Sequence, residues 1–192
     1  MPLENFRRIL GNIDVEKIHT LRLFNFGEPL LHQELSKLVA IIPEQKFKTS
    51  IVEISTNAQQ VYWDDFEEMM RLEVVNKLVV SCDGDGTPED YEAKRPPSKW
   101  EKLIEFLERA RSLRDRYSPA TQLITSTVCM DPLHRKRWED VLRPRGWTPK
   151  FRRWMLLPQS AVNMTGNAPT VPQSSCLYLA SADRFASHKW GG

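Results

Sequence analysis

With 192 residues, 27 basic and 25 acidic side chains, the chain is long enough for one domain with a sizeable core plus a small extension. Its near-balanced charge gives no global electrostatic case for a nucleic-acid or membrane partner. No apolar run approaches the length of a membrane span, and the N-terminal MPLENFRRIL lacks a signal-peptide core, so a soluble, cytoplasmic protein is expected.

Leu3, Phe6, Ile9 and Leu10 open the chain at helical spacing. A mixed apolar and β-branched run, IHTLRLFNF, then reads as a strand entering the corner Gly27-Glu28-Pro29. HQELSKLVAII returns to helix, and SIVEISTNA to strand, ending at Thr56 and Asn57. WDDFEEMMRL is helical, with Asp64 and Asp65 suited to the positive end of its dipole, and NKLVVSCDG is the next strand. In SKWEKLIEFLERARSLRD the residues Trp100, Leu103, Ile104, Leu107 and Ala110 fall on one stripe, which predicts a long amphipathic helix. Strand TQLITSTVCM, helix RKRWEDVLRP and strand RRWMLLP follow. Arg and Trp interleave around the last helix, in LHRKRWEDVLRPRGWTPKFRRW, a mixture that could contact a polyanion or an acidic peptide but is more commonly a basic helix face over half-buried indoles.

Five strands alternating with helices argue for parallel strands joined by helical crossovers, an α/β fold of the barrel type. The order opens with a helix, where such a barrel opens with a strand, so a first strand upstream of Met1 is expected. Near Gln159 the composition changes to small, polar, Pro- and Gly-containing residues, QSAVNMTGNAPTVPQSS, which sets a boundary between a partial barrel over 1–158 and an extension over 159–192.

Reactive groups in parallel α/β sheets gather at the carboxyl ends of the strands, where the loops share one rim. The first strand ends in Asn25, Gly27 and Glu28, the second in Ser55, Thr56 and Asn57, and the third in Ser81, Asp83 and Gly84. Side chains alternate along a strand, so Ser81 and Asp83 share one face and Cys82 takes the other, where it packs as a small buried hydrophobe beneath a helix. Cys82, Cys129 and Cys176 are odd in number and far apart, with no C-x-x-C, and form neither a disulfide framework nor a self-contained zinc site.

LRLFNFGEPLLHQELSKLV, then VEISTNA, then LVVSCDGDGTPEDYEAKRPPSKWEKLIEFLERA, in that order and spacing, resembles the radical S-adenosylmethionine (SAM) superfamily over roughly residues 3–185. The nearest pattern is the branch with a C-terminal SPASM or twitch-like extension for auxiliary iron-sulfur clusters. The resemblance implies a partial (βα) barrel, SAM as cofactor, and reductive cleavage of SAM to a 5'-deoxyadenosyl radical that abstracts hydrogen, often from a peptide or protein. It places Gly27, Glu28 and Pro29 against the amino group of SAM, Asn57 beside them, Ser81 and Asp83 toward the ribose or carboxylate, and Arg95 on the carboxylate. Family members hold a catalytic [4Fe-4S] cluster with C-x-x-x-C-x-x-C after the first strand, and that motif is absent here. The family also prefers Thr-Asn-Gly, where this chain has Ala58, so the turn after Asn57 is expected to be tighter or shifted. Cys176 stands where the extension begins to recruit auxiliary-cluster ligands.

Two other readings account for the same rim: a cluster-free SAM-binding module or pseudoenzyme, and an unrelated α/β-barrel lyase using Glu28 and Asp83 as acid and base. The expectations are therefore parallel strands in sequential order, convergence of Glu28, Asn57, Ser81 and Asp83 around one cavity, and no stoichiometric cluster in the isolated chain.

Overall fold

Alternation of buried and half-buried residues runs through the strand segments, as a sheet with two unlike faces requires. The computed structural model describes residues 1–24 and 27–152. Five strands form one parallel sheet: β1 (Lys17–Arg22), β2 (Lys48–Thr56), β3 (Lys77–Ser81), β4 (Gln122–Val128) and β5 (Thr148–Arg152). They lie in sequential order, β1-β2-β3-β4-β5. The helices are α1 (Leu3–Gly11), α2 (Leu35–Ile41), α3 (Trp63–Arg71), α4 (Pro88–Lys94), α5 (Trp100–Tyr117) and α6 (Pro132–Leu142), with short 3-10 turns at Pro29–Leu31 and Ile42–Glu44. Sequential order with helical crossovers of one hand carries the helices to a single side of the sheet.

The buried residues agree with that arrangement. Ile54, Leu78, Val80, Cys82 and Leu123 from the strands join one cluster with Leu38 of α2, Phe66 and Met70 of α3, Leu103, Phe106 and Leu107 of α5, and Trp138 and Leu142 of α6. A smaller cluster packs Leu10 of α1 and Ile41 of α2 on Val52. The alternate residues Glu53, Ser55, Lys77, Val79, Ser81 and Ser126 belong to neither cluster and are half-buried on the other face.

The last strand starts earlier than its sequence suggests. The expected strand RRWMLLP begins where β5, Thr148–Arg152, is ending, and positions from 153 onward lie outside the described residues. Thr148–Arg152 carries Pro149, a residue that argues against a central strand, but among the described residues β5 pairs only with β4, and an edge position tolerates a missing N–H. Helix α4 is not among the elements read from the sequence, whereas the expected Gly27-Glu28-Pro29 corner continues into the 3-10 turn at Pro29–Leu31. Thr87 caps α4 by accepting from the amide of Asp90, with Pro88 in the first turn.

The loop between β3 and α4 is fastened to α6. Arg137 pairs with Asp85 at 2.6 Å, and the Trp138 indole N–H donates to the carbonyl of Gly84 at 3.0 Å. Gly86 in this loop has φ +91°, and a Cβ there would lie 2.8 Å from the Cβ of Arg137, so both the backbone and the space require glycine. No described helix is long and apolar enough to cross a membrane.

Candidate functional site

The carboxyl edge of the sheet is built from three turns. After β1 the chain passes through Gly27-Glu28-Pro29 into the 3-10 turn, whose first donor is the amide of Leu30. Pro29 supplies no N–H and presets its own φ, so one acceptor is enough to start the turn. Glu28 Oε1 is that acceptor, at 3.1 Å from Leu30 N, and Oε2 accepts from the amide of Asn57 at 2.7 Å. One carboxylate thus closes the turn after β1 and ties it to the end of β2. This gives the acid between glycine and proline a structural task in addition to any ligand contact. Asn25, expected beside it, lies outside the described residues.

Asn57 turns its side chain back on its own loop, its Oδ1 accepting from Gln59 N at 3.0 Å. Ala58 has φ +60°, the left-handed conformation that a glycine takes without strain, and it is buried, with its amide donating to Thr56 Oγ1 at 3.0 Å. The turn keeps a glycine-like shape at a conformational cost. Gln59 then reaches across to the Tyr91 hydroxyl and to the backbone of Lys99, linking this rim to α4 and the start of α5.

After β3, Ser81 and Asp83 stand on one face and Cys82 on the other, as alternation requires. Asp83 Oδ1 accepts from the amide of Val128 at 3.3 Å, joining the ends of β3 and β4, while Oδ2 accepts from Arg95 Nη1. Arg95 follows the last turn of α4, where it is about three-quarters buried, and its Nε–H is buried with no partner among the described residues. An orphaned buried donor of this kind costs free energy unless water or a ligand oxygen meets it. Arg95 and Asp83 were each expected to touch a ligand; their pairing with one another was not anticipated.

The four residues expected around one cavity share one edge of the sheet. Glu28, Asn57, Ser81 and Asp83 all lie at the carboxyl ends of β1, β2 and β3, but Glu28 bonds to the β2 turn and Asp83 to β4 and Arg95. An apolar groove lined by Trp100, Ile104 and Val141 lies elsewhere, between α5 and α6.

Cys82 is fully buried among core side chains, and burial pushes its thiol far above the ordinary range. Cys129, also buried, has its thiol pushed up by burial and donates to the carbonyl of Asp131 at 3.4 Å. Cys176 lies outside the described residues. Among the described residues no three His, Cys, Asp or Glu side chains are gathered to hold a metal ion.

Applying the strand-end rule to β4 and β5 adds residues that the sequence reading passed over. Ser81, Ser126 and Lys150 are partners in register across three strands, and Val128 and Arg152 form the next pair toward the rim. The signal was present in the alternation of LITSTV and TPKFR, but it becomes usable only once the register is known.

No protein-family model matches the chain, and no curated protein matches it. Among solved structures, homoserine dehydrogenase of S. aureus is similar over 70% of this chain at 16% identity, with a TM-score of 0.25. The chain spans 32% of the length of that structure, and so slight a likeness carries no argument about fold or function.

Proposed function

We propose that this chain is the SAM-binding core of a radical-SAM-type enzyme, a partial parallel (βα) barrel acting in the cytoplasm on a peptide or protein substrate. The observation that carries this reading is the Asp83–Arg95 pair, with its orphaned guanidinium Nε–H, on the same sheet edge as the Glu28-braced Gly27–Pro29 corner. An anion-binding group and an acid-lined turn on one rim suit a zwitterionic amino acid, and SAM ends in one. In this reading Arg95 takes the carboxylate through its fork and the unpartnered Nε–H. The carbonyls of the Gly27–Pro29 corner, with the unused lone pairs of Glu28, face the ammonium. Ser81 and Asp83 receive ribose hydroxyls, and Asn57 closes the rim beside the corner.

The residues fit the amino-acid and ribose end of SAM; the described cysteines do not fit a [4Fe-4S] cluster. In radical SAM enzymes such a cluster supplies the electron that splits SAM. Cys82 is walled into the core and Cys129 is hydrogen-bonded under the end of β4, so neither offers a thiolate to an iron at the rim. A second reading is a cluster-free SAM-binding module that keeps the rim without the radical chemistry. The lyase alternative is weaker, because both oxygens of Glu28 and of Asp83 already serve backbone amides or Arg95.

Calorimetric titration of the full chain with SAM tests the proposal. Saturable binding that weakens about tenfold or more in Arg95→Lys, where the bidentate fork is lost, is the expected result. Absence of binding by the wild-type chain, or equal affinity in Arg95→Lys, would overturn it. Anaerobic reconstitution with iron and sulfide, read by 5'-deoxyadenosine formation, separates the first reading from the cluster-free one.

A further inference from the structure

Arg95 stands just past the last turn of α4, with φ −129° and ψ +51°, so the helix itself does not fix it. Its amide donates to the Tyr91 carbonyl at 3.0 Å, and its carbonyl accepts from Ser98 N at 2.6 Å. Tyr91 lies four residues before Arg95 and Lys99 four residues after it, and one side chain from the turn after β2 grips both. Gln59 Nε2 donates to the Tyr91 hydroxyl at 3.1 Å and to the Lys99 carbonyl at 3.2 Å, while Gln59 Oε1 accepts from Lys99 N at 2.6 Å. These bonds use both N–H groups and the oxygen of the amide. Tyr91 is fully buried, so its hydroxyl requires such a partner. Among the described residues no other hydrogen bond joins 91–99 to the turn after β2. Glu92 accepts from Trp100 N and pairs with Lys99, which closes the α4–α5 connection on itself without reaching the sheet. Gln59 is placed in turn by the rim: its amide donates to Asn57 Oδ1, and Asn57 N donates to Glu28 Oε2. A chain of bonded residues thus runs from the Gly27–Pro29 corner through Glu28, Asn57 and Gln59 to both sides of Arg95.

We infer that Gln59 is a positioning residue: by fixing residues 91–99 against the turn after β2, it sets where the Arg95 guanidinium stands relative to the Gly27–Pro29 corner. The rim then reads the two charges of an amino-acid zwitterion at one spacing. A guanidinium fork gains its selectivity for a carboxylate from fixed geometry. Without Gln59, Arg95 still meets a carboxylate but must be ordered at the moment of binding, which costs affinity for ligands that carry that group and for no others. The inference rests on the SAM reading for what Arg95 binds, and on the hydrogen bonds alone for how Arg95 is held.

Two variants of the full chain test it. Gln59→Met keeps the length of the side chain and removes all three bonds. Gln59→Glu keeps the acceptor for Lys99 N, lets the Tyr91 hydroxyl donate to it, and loses only the donation to the Lys99 carbonyl. Without ligand, nitrogen-15 relaxation of the Arg95 Nε–H bond should give an order parameter of about 0.85 in the wild type and below about 0.6 in Gln59→Met, with Gln59→Glu between them. Equal order in wild type and Gln59→Met overturns the inference. With ligand, calorimetry compares SAM with decarboxylated SAM, which keeps the ammonium and lacks the carboxylate. The wild type should prefer SAM, and Gln59→Met should shrink that preference about tenfold while binding decarboxylated SAM as before, with partial rescue in Gln59→Glu. Equal loss of affinity for both ligands would make Gln59 a general support of the fold and overturn its role through Arg95. Binding of neither ligand by the wild type removes the SAM reading, and the hold of Gln59 on Arg95 is then decided by the order parameter alone.

Discussion

Replacing Glu28 by Gln removes a charge and one acceptor while preserving shape. In the native rim each carboxylate oxygen accepts one backbone N–H, from Leu30 at 3.1 Å and from Asn57 at 2.7 Å. Gln keeps one oxygen and presents an NH2 group to the other amide, so one donor faces a donor. Losing a hydrogen bond to a charged group, with its half-buried amide left unpaired, costs about 1.5–3 kcal/mol. The shorter contact, to Asn57, is the one that spans 29 positions of sequence, and Gln is expected to keep its oxygen there and surrender the Leu30 bond. The net loss is about 2 kcal/mol, which for a domain of this size lowers the melting temperature by about 4–8 °C. Urea unfolding followed by tryptophan fluorescence gives the free energy, and hydrogen exchange at Leu30 and Asn57 locates the loss. A variant as stable as the wild type, with both amides equally protected, would refute the claim that this carboxylate fastens the first turn to the second.

Gly86→Ala should destabilise by about 1–3 kcal/mol in chemical unfolding, since the new Cβ meets the Arg137 Cβ at 2.8 Å in a φ +91° backbone; an unchanged midpoint would show that the loop shifts freely. Cys82 should resist a thiol reagent in the native chain and react only on unfolding, because burial both hides the thiol and raises its pKa, and stoichiometric labelling of Cys82 in the native state would contradict this. Asp85 titrates below the ordinary carboxylate range: burial alone would raise it, but the Thr87 hydroxyl and amide, Arg137 and His134 outweigh that effect. Its stabilising contribution is therefore complete above the unfolded pKa of about 3.9 and is lost as pH falls through the lower folded value. The stability gap between wild type and Asp85→Asn should be constant from pH 7 to about 5 and close at more acid pH; a gap that widens on acidification would reverse the sign.

The parallel sheet was legible because its strands alternate cleanly: Leu78, Val80 and Cys82 went to the helices, and Val79, Ser81 and Asp83 to the other face. The stripe of α5 was legible for the same reason, although Phe106, just off the proposed stripe, is among its buried residues. The start of β5 was not legible, because Pro149 and Lys150 look like loop residues and only an edge position accommodates them. At the site, the strand-end rule put Glu28, Asn57, Ser81 and Asp83 on one rim and the family resemblance added Arg95, but neither offered a means of pairing them. The Glu28–Asn57 and Asp83–Arg95 bonds depend on how adjacent turns meet in three dimensions, and so does the partnership of Ser126 with Lys150. The backbone shape at Ala58 was hidden for another reason, since alanine enters a left-handed turn only when its surroundings impose it.

The most direct test of a SAM-binding rim is to record amide shifts of the full isotope-labelled chain as SAM is added. Contact through the Gly27–Pro29 corner and the Asp83–Arg95 pair predicts saturable shifts at Gly27, Glu28, Asn57, Ser81, Asp83, Arg95 and Val128, with the amides at the strand starts, Lys48, Lys77 and Gln122, unmoved. Shifts confined to the strand starts or to the α5–α6 groove, or none at saturating SAM, would contradict the account.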